Sequence, residues 1–358
     1  MHKKMVRKVK KYRVFIDFRV FQDIMIFMKK RILTGDRPTG PLHLGHYVGS
    51  VLNRVKLQHE YDTFIIIADV QALTTNFEHP EKLKQDVYNV ALDNLACGID
   101  PKISTIFIQS MISEIAELTI YYSMFVSINL LSHNPTIKTE AKQYGFEHRK
   151  TYGFLGYPVS QAADITFCRA NLVPVGSDQL PHIELTRRIV RRFNELYEPV
   201  LVEPEALISN VPRLMGLDGN AKMSKSLGNC IYLSDSLKAV AESIGKAITD
   251  PARIHATDPG HPDICNIFSY QKVFNPSFVA ELKESCTKGT IGCVACKKTL
   301  TAIINELLEP IRTRRAELEK DMKTVDDIIA SGTKHAKIEA EKTMELVRKA
   351  IKIDYSFQ

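Results

Sequence analysis

Residues 63–70 read TFIIIADV, an unbroken apolar run rich in β-branched side chains. A strand without polar alternation is buried on both faces, and such strands belong to parallel sheets with helices above and below. The rest of the first two-thirds of the chain agrees. Residues 31–35, 103–109 and 171–175 read as further strands. Residues 43–59, 80–97, 112–131 and 178–196 carry helical spacing, with Pro80 at the start and Gly98 at the stop of the second helix. Alternation of this kind predicts an α/β domain. From about residue 236 the strand signals vanish. Helices are expected over 236–248, 277–286, 294–308, 310–329 and 334–352.

The first strand feeds an unusual turn, TGDRPTGPLHLGHYVGS over 34–50. A strand, a tight Gly/Pro turn and a helix start near His43 present backbone N–H groups and a positive dipole end to an anion. Gly45 lies between His43 and His46. Without a side chain it lets a flat ring or a phosphate approach the backbone. A second such feature is far away in sequence: Lys222, Met223, Ser224, Lys225 and Ser226 lie between Gly219 and Gly228. Two lysines and two hydroxyls on a glycine-flanked loop suit a polyphosphate whose charge grows as it leaves.

Composition excludes little. The chain has 358 residues, 44% hydrophobic and 25% charged, which is ordinary for a soluble protein. No apolar run reaches membrane-spanning length, so no membrane role and a cytoplasmic location are expected. The net charge is +7, but residues 1–27 hold eight Lys/Arg against Asp17 and Asp23, leaving +1 on the remainder. Overall basicity therefore does not argue for nucleic acid. Residues 1–27 read as a basic extension without a catalytic role, ahead of a natural start near Met28; a basic arm that holds RNA is the alternative.

The pair HLGH and KMSKS resembles the two signatures of class I aminoacyl-tRNA synthetases. Residues 153–186, with Tyr157-Pro158, Ala162-Ala163-Asp164-Ile165, Val173-Pro174-Val175-Gly176 and His182-Ile183-Glu184-Leu185-Thr186, resemble tryptophanyl-tRNA synthetases. GDRPTG and Gln161 are most similar to the divergent bacterial branch. The resemblance runs from about Arg31 to the C-terminus. It implies a Rossmann-like catalytic domain over 28–234, an all-α anticodon-binding region over 235–333, and a C-terminal helix over 334–358 packing back on the catalytic domain.

The implied reaction joins L-tryptophan to ATP as an adenylate and passes the amino acid to tRNA(Trp). The attacking carboxylate is already ionised, so alignment and charge stabilisation do the work. The resemblance places Arg37, Pro38, Thr39, Gly45 and His46 at ATP, with His43 in the first signature. It places Gly176, Ser177 and Asp178 at the ribose and Leu214 beside the adenine. Lys222 and Lys225, with Met223, Ser224 and Ser226, attend the phosphates, and Mg²⁺ rides on ATP. Asp164 matches the carboxylate that accepts the indole N–H, a contact that discriminates strongly. Tyr157, Gln161 and Gln179 match ammonium-binding positions. Gln71 and Gln161 depart from the His and Met common in the main bacterial branch. A homodimer is also implied. Tyrosyl-tRNA synthetase and a non-catalytic tryptophan-sensing or partner-binding paralogue stay open as alternatives.

Seven cysteines without a secretory signal do not predict disulfides. Cys97, Cys168 and Cys230 read as buried apolar residues. Cys265, Cys286, Cys293 and Cys296 cluster in the helical region, with spacers of 20, six and two residues. Four thiolates at such spacing can hold zinc or an iron–sulfur cluster. Some members of the resembling family bind a [4Fe–4S] cluster with C-x22-C-x6-C-x2-C. That leaves Cys265 the least certain ligand, with Zn²⁺ and plain thiols as alternatives. Lys297-Lys298 and Arg312-Thr313-Arg314-Arg315 are the local basic patches that could meet tRNA phosphates, or else line a solvated helix face. The chain has no Trp. That absence would let an enzyme that activates tryptophan be made when tryptophan is scarce, although chance explains it equally.

Overall fold

The computed structural model describes residues 29–208, 214–219, 223–225 and 227–355. Five parallel strands form one sheet in the order β3-β2-β1-β4-β5: β1 Arg31–Asp36, β2 Asp62–Ile67, β3 Ser104–Ile108, β4 Leu172–Val175 and β5 Glu205–Ile208. The expected strand at 63–70 is β2, flanked by β1 and β3; it ends at Ile67, Asp69 and Val70 opening the next helix, and Thr63 to Ile67 are all buried. Its side chains alternate between the two faces. Phe64 and Ile66 enter one apolar cluster, Ile65 and Ile67 the other.

Strand β5 is absent from the expectations. It is four residues long, follows Pro204, and has exposed ends, so no apolar run marks it. The expected helix over 43–59 is interrupted. Leu44–His46 (α1) passes into a π-helical turn, Tyr47–Val51, and then Leu52–Leu57 (α2). π-Helical turns are rare and favour functional positions. The expected helix over 112–131 is two: α5 Ser113–Ser123 and α6 Ile128–Ser132, the latter capped by Ser127, whose hydroxyl accepts from Leu130 N at 3.2 Å. Between β2 and β3 run α3 Asp69–Asn76 and α4 Leu83–Ala96. Helices α7 Pro135–Gln143, α8 Tyr152–Thr166 and α9 Leu180–Leu196 complete the α/β part.

The helical part is α10 Leu237–Lys246, α11 Asn266–Phe274, α12 Val279–Thr287, α13 Cys293–Lys320 and α14 Met322–Ala350. Three expected helices are therefore two long ones. Pro310 lies inside α13, although an interior proline costs about 3 kcal/mol and one backbone hydrogen bond. Leu300, Ile304, Leu308 and Ile311 are buried on either side of it, and that packing carries the helix through. The break falls at Asp321 instead, whose carboxylate accepts from Thr324 N at 3.2 Å and caps α14. The division expected between 333 and 334 falls inside α14.

Helix α14 crosses the β3 edge of the sheet. Val325 and Ile329 sit in one apolar cluster, Ala336, Ala340, Met344 and Val347 in the other. The crossing is at Gly332, where a Cβ would stand 2.0 Å from Ile106 O. Only glycine lets the helix backbone come this close to the strand. The helix thus covers an edge that would otherwise be open to pairing.

Candidate active site

In the strand order, the chain turns one way from β1 to β2 and β3, and the other way to β4 and β5. In open parallel sheets the crevice outside the carboxyl ends of the strands, at such a reversal, is where ligands bind. The loop after β1 carries HLGH. The turn after β4 is Gly176 and the short helical turn Ser177–Gln179. Both therefore open onto the same crevice.

The two sequence signatures touch. Leu42 to Leu44 lies antiparallel to Ile231 to Leu233: Leu44 N donates to Ile231 O at 2.9 Å, and Leu233 N donates to Leu42 O at 3.0 Å. This brings the second loop over the first. Gly45 N donates to Met223 Sδ at 3.3 Å, and Lys225 Nζ donates to Gly40 O at 2.7 Å. A Cβ on Gly45 would stand 2.9 Å from the His43 ring and 3.4 Å from Met223 Sδ, so glycine is needed for both contacts. Leu214 is buried in the same apolar cluster as Met223, and Met223 N donates to Leu214 O at 3.4 Å. Ser224 N donates to Asn229 Oδ1 at 2.8 Å, and Asn229 Nδ2 to Asp218 Oδ1 at 3.0 Å. Lys222 and Ser226 lie outside the described residues.

The His43 and His46 rings lie 3.8 Å apart, tilted by 41°. His43 N donates to His46 Nδ1 at 3.2 Å, which leaves Nε2 of a neutral His46 as the proton-bearing nitrogen. Burial holds the Lys225 ammonium below its usual pKa, against the pull of Asp36, Asp86 and Asp93. A phosphate arriving beside it would favour the charged form. Asp36 is itself committed. Burial raises its pKa, but Arg54, with Nη1 2.7 Å from Oδ2, outweighs this and holds the carboxyl below its usual range.

Asp164, 4% exposed, sits on α8 with Tyr157 and Gln161, spaced for one helix face. Gln109 Nε2 donates to Asp164 Oδ1 at 2.7 Å. Gln71 Nε2 reaches both Asp164 Oδ2 at 3.5 Å and Tyr157 O at 3.4 Å, while Gln71 N donates to Gln109 Oε1 at 3.1 Å. Burial pushes the carboxyl to about 7 despite both amides. Gln109 did not stand out in the sequence. Its signal is position, as the polar residue that ends an apolar strand at its carboxyl end. The Tyr157 hydroxyl meets His182 Nε2 at 3.0 Å. Burial lowers the His182 pKa to about 4, so its imidazole is neutral. Gln161 is half-buried one turn along. Gln179 Nε2 donates to Asp178 Oδ2 at 3.3 Å, and Thr136 Oγ1 to Asp178 O at 3.2 Å. Arg37 and Thr39 reach the surface of the β1 loop, and Pro38 is buried beneath them.

A family model described as tRNA synthetases class I (W and Y) matches residues 28–309. The chain belongs to this family. Among its relatives, the tryptophan--tRNA ligase of Clostridium longisporum is 49% identical over 334 residues, 91% of this chain and 98% of that one. That of Streptococcus pyogenes serotype M3 is 50% identical over 337 residues, 91% and 99%. The solved tryptophanyl-tRNA synthetase of Campylobacter jejuni, complexed with ADP and tryptophan, superposes with a TM-score of 0.80 at 32% identity, covering 90% of this chain and 99% of that one.

The helical part of this synthetase holds a pocket lined by cysteines. Cys265, Cys286, Cys293 and Cys296 line one pocket with Asp250, Arg253, Phe268 and Leu282. Arg253 Nη1 is 4.0 Å from the sulfurs of both Cys286 and Cys293. Burial raises the thiol pKa of Cys265, of Cys286 and of Cys296, the last to about 11. Among the described residues no three His, Cys, Asp or Glu side chains are gathered closely enough for a single metal ion. The basic patch at 312–315 is largely committed inward. Arg315 is buried against Asp93, Arg314 Nε donates to Ala96 O at 2.6 Å, and Arg312 Nη2 donates to Asn305 O at 2.9 Å. No described helix is long and apolar enough to cross a membrane.

Proposed function

We propose that this synthetase activates L-tryptophan with ATP and charges tRNA(Trp). The tryptophan carboxylate oxygen bonds to the α-phosphorus of ATP as the bond to pyrophosphate breaks. The tRNA terminal hydroxyl then bonds to the carbonyl carbon and gives up its proton to the departing phosphate or water, and AMP leaves with the electron pair of the mixed-anhydride bond. The observation that carries the reading is the buried Asp164 carboxylate, held by the Gln109 and Gln71 side chains. Indole offers one N–H on an apolar body, and Asp164 is a buried acceptor whose hydrogen-bond partners among the described residues are two amides. Arg37, Pro38, Thr39, His43, Gly45 and His46 attend ATP, with Gly176, Ser177 and Asp178 at the ribose and Leu214 at the adenine. Lys222, Met223, Ser224, Lys225 and Ser226 attend the phosphates, and Mg²⁺ arrives on them. Tyr157, Gln161 and Gln179 attend the ammonium. ATP–pyrophosphate exchange with each amino acid tests this. Tryptophan-dependent exchange and charging of a tRNA(Trp) transcript are expected. Dependence on tyrosine instead would overturn the substrate, and exchange without charging would favour a sensing paralogue.

The four clustered cysteines belong to the same proposal as ligands of a [4Fe–4S] cluster. The donor set fits. Four thiols line one pocket, and Arg253 supplies positive charge beside two of them. Such a centre would tie α11, α12 and α13 together. Iron and acid-labile sulfide in equal amounts in anaerobically purified protein are expected; zinc, or neither element, would replace this reading. We also assign the tRNA anticodon to the helical part, a second copy of the chain to the apolar surface discussed below, and the cytoplasm as the location.

A further inference from the structure

Glu140, on α7, has a buried carboxylate oxygen, Oε2, with no hydrogen-bond partner among the described residues. Its other oxygen is 3.9 Å from Arg37 Nη2, beyond hydrogen-bond reach. A carboxylate oxygen buried without a donor costs roughly 1–3 kcal/mol or more, and natural proteins keep few of them. The Arg37 guanidinium faces Oε1 and leaves Oε2 without a hydrogen-bond partner among the described residues.

The surroundings say which cation fits. Glu140 stands beside the Tyr157 hydroxyl: burial first, and then the charge and hydrogen bonding of Glu140, raise the tyrosine pKa. The same hydroxyl meets His182 Nε2, whose neutral ring has its Nδ1 buried without a partner. Nε2 is therefore the nitrogen placed to donate, and Tyr157 O–H is directed on toward Glu140. The remaining tyrosine lone pair and Glu140 Oε2 are both acceptors. Two turns along α8, about 10 Å of helix rise, Asp164 offers the other buried acceptor. Gln71 Nε2 bridges the interval from Asp164 Oδ2 to Tyr157 O. Tryptophan presents N–H donors at its two ends, one neutral on indole and one cationic on the α-carbon.

We propose that Glu140 is a specificity-determining residue whose carboxylate, with the Tyr157 hydroxyl, binds the α-ammonium of the amino-acid substrate. Holding the ammonium there turns the substrate carboxylate toward Arg37 and the ATP loop. The inference rests on the tryptophan-activating function proposed above. Glu140→Gln keeps the shape and removes the charge. Its KM for tryptophan in pyrophosphate exchange is expected to rise about 10- to 100-fold, the range of a charged hydrogen bond. KM for ATP should stay within about twofold, and Glu140→Asp should recover part of the loss. Binding of indole-3-propionate, which lacks the amino group, should not weaken. Equal weakening of tryptophan and indole-3-propionate would mean a structural role and overturn the inference. So would an unchanged KM for tryptophan, or a rise confined to ATP, which would place Glu140 at Arg37 alone. Wild-type protein without tryptophan-dependent exchange would overturn the function and this inference together.

Discussion

At the scale of single residues, Asp164 makes a pH prediction with a definite sign. Burial raises its carboxyl from 3.8 in the unfolded chain to about 7 in the folded protein. A raised carboxyl favours the fold while it holds its proton. That contribution is fully present below about pH 4 and lost as pH rises toward about 7. An indole N–H prefers the ionised form, so bound tryptophan pulls the other way. Tryptophan affinity is expected to strengthen as pH rises through about 7, and Asp164→Asn should flatten the profile and weaken binding about 10- to 100-fold. Fluorescence of the ligand measures this directly, because the protein has no Trp of its own. The loops at 43–46 and 222–226 were legible because their chemistry is local: glycine, histidine and lysine at fixed spacing. Gln109 and Glu140 were not. Each becomes a site candidate only when the fold brings it beside α8, and neither neighbourhood is written in adjacent residues.

At the scale of elements, a buried ion pair joins α13 to the first signature. The Arg315 guanidinium pairs with Asp93 on α4, and Asp93 Oδ2 accepts from Leu42 N at 2.6 Å. Burial raises the Asp93 carboxyl, and Arg315 and Leu42 N pull it back. Removing one partner of such a pair leaves an uncompensated charge. Arg315→Met is expected to cost about 3–5 kcal/mol of stability, with part regained by adding Asp93→Asn; urea unfolding of both variants and the double variant checks this. The same elements show where periodicity stops being informative. Helical spacing is blind to one broken backbone bond, so Pro310 was read as a start and Gly332 lay between two expected helices. Packing on α4 and on β3 overrides both.

At the scale of the whole molecule, the parallel sheet followed from the run at 63–70, whereas β5 and the path of α14 around the β3 edge did not. Those depend on contacts between segments far apart in sequence. The surface raises a question that only a second body answers. Met111, Ile120, Met124, Ile128 and Tyr152 are each more than half exposed. They come from the segment after β3, from the end of α5 and from α6, and from the start of α8, on which α5 and α6 both pack. Exposed apolar surface of this kind marks interaction sites, and a second copy of the chain fits the homodimer proposed above. Wild-type protein is expected to sediment as a dimer, and Met124→Glu with Ile128→Glu as a monomer. The pocket of cysteines makes a separate prediction: Cys293→Ser with Cys296→Ser should abolish iron retention while leaving tryptophan binding intact, checked by metal analysis and ligand fluorescence on one sample.

The contact between Gly45 N–H and the Met223 thioether has a chemical consequence. The two loops proposed to hold ATP are seated on each other through a thioether sulfur, an acceptor that peroxide can change. Sulfoxide is polar and larger, and would not fit where the buried thioether now lies. Met223 is 2% exposed where the loops meet, so a nucleotide that holds them together would keep the sulfur shielded. Activity should therefore be lost to peroxide more slowly when ATP is bound, with Met223 sulfoxide in peptide maps tracking the loss, so that oxidant damage records how long the site has stood empty.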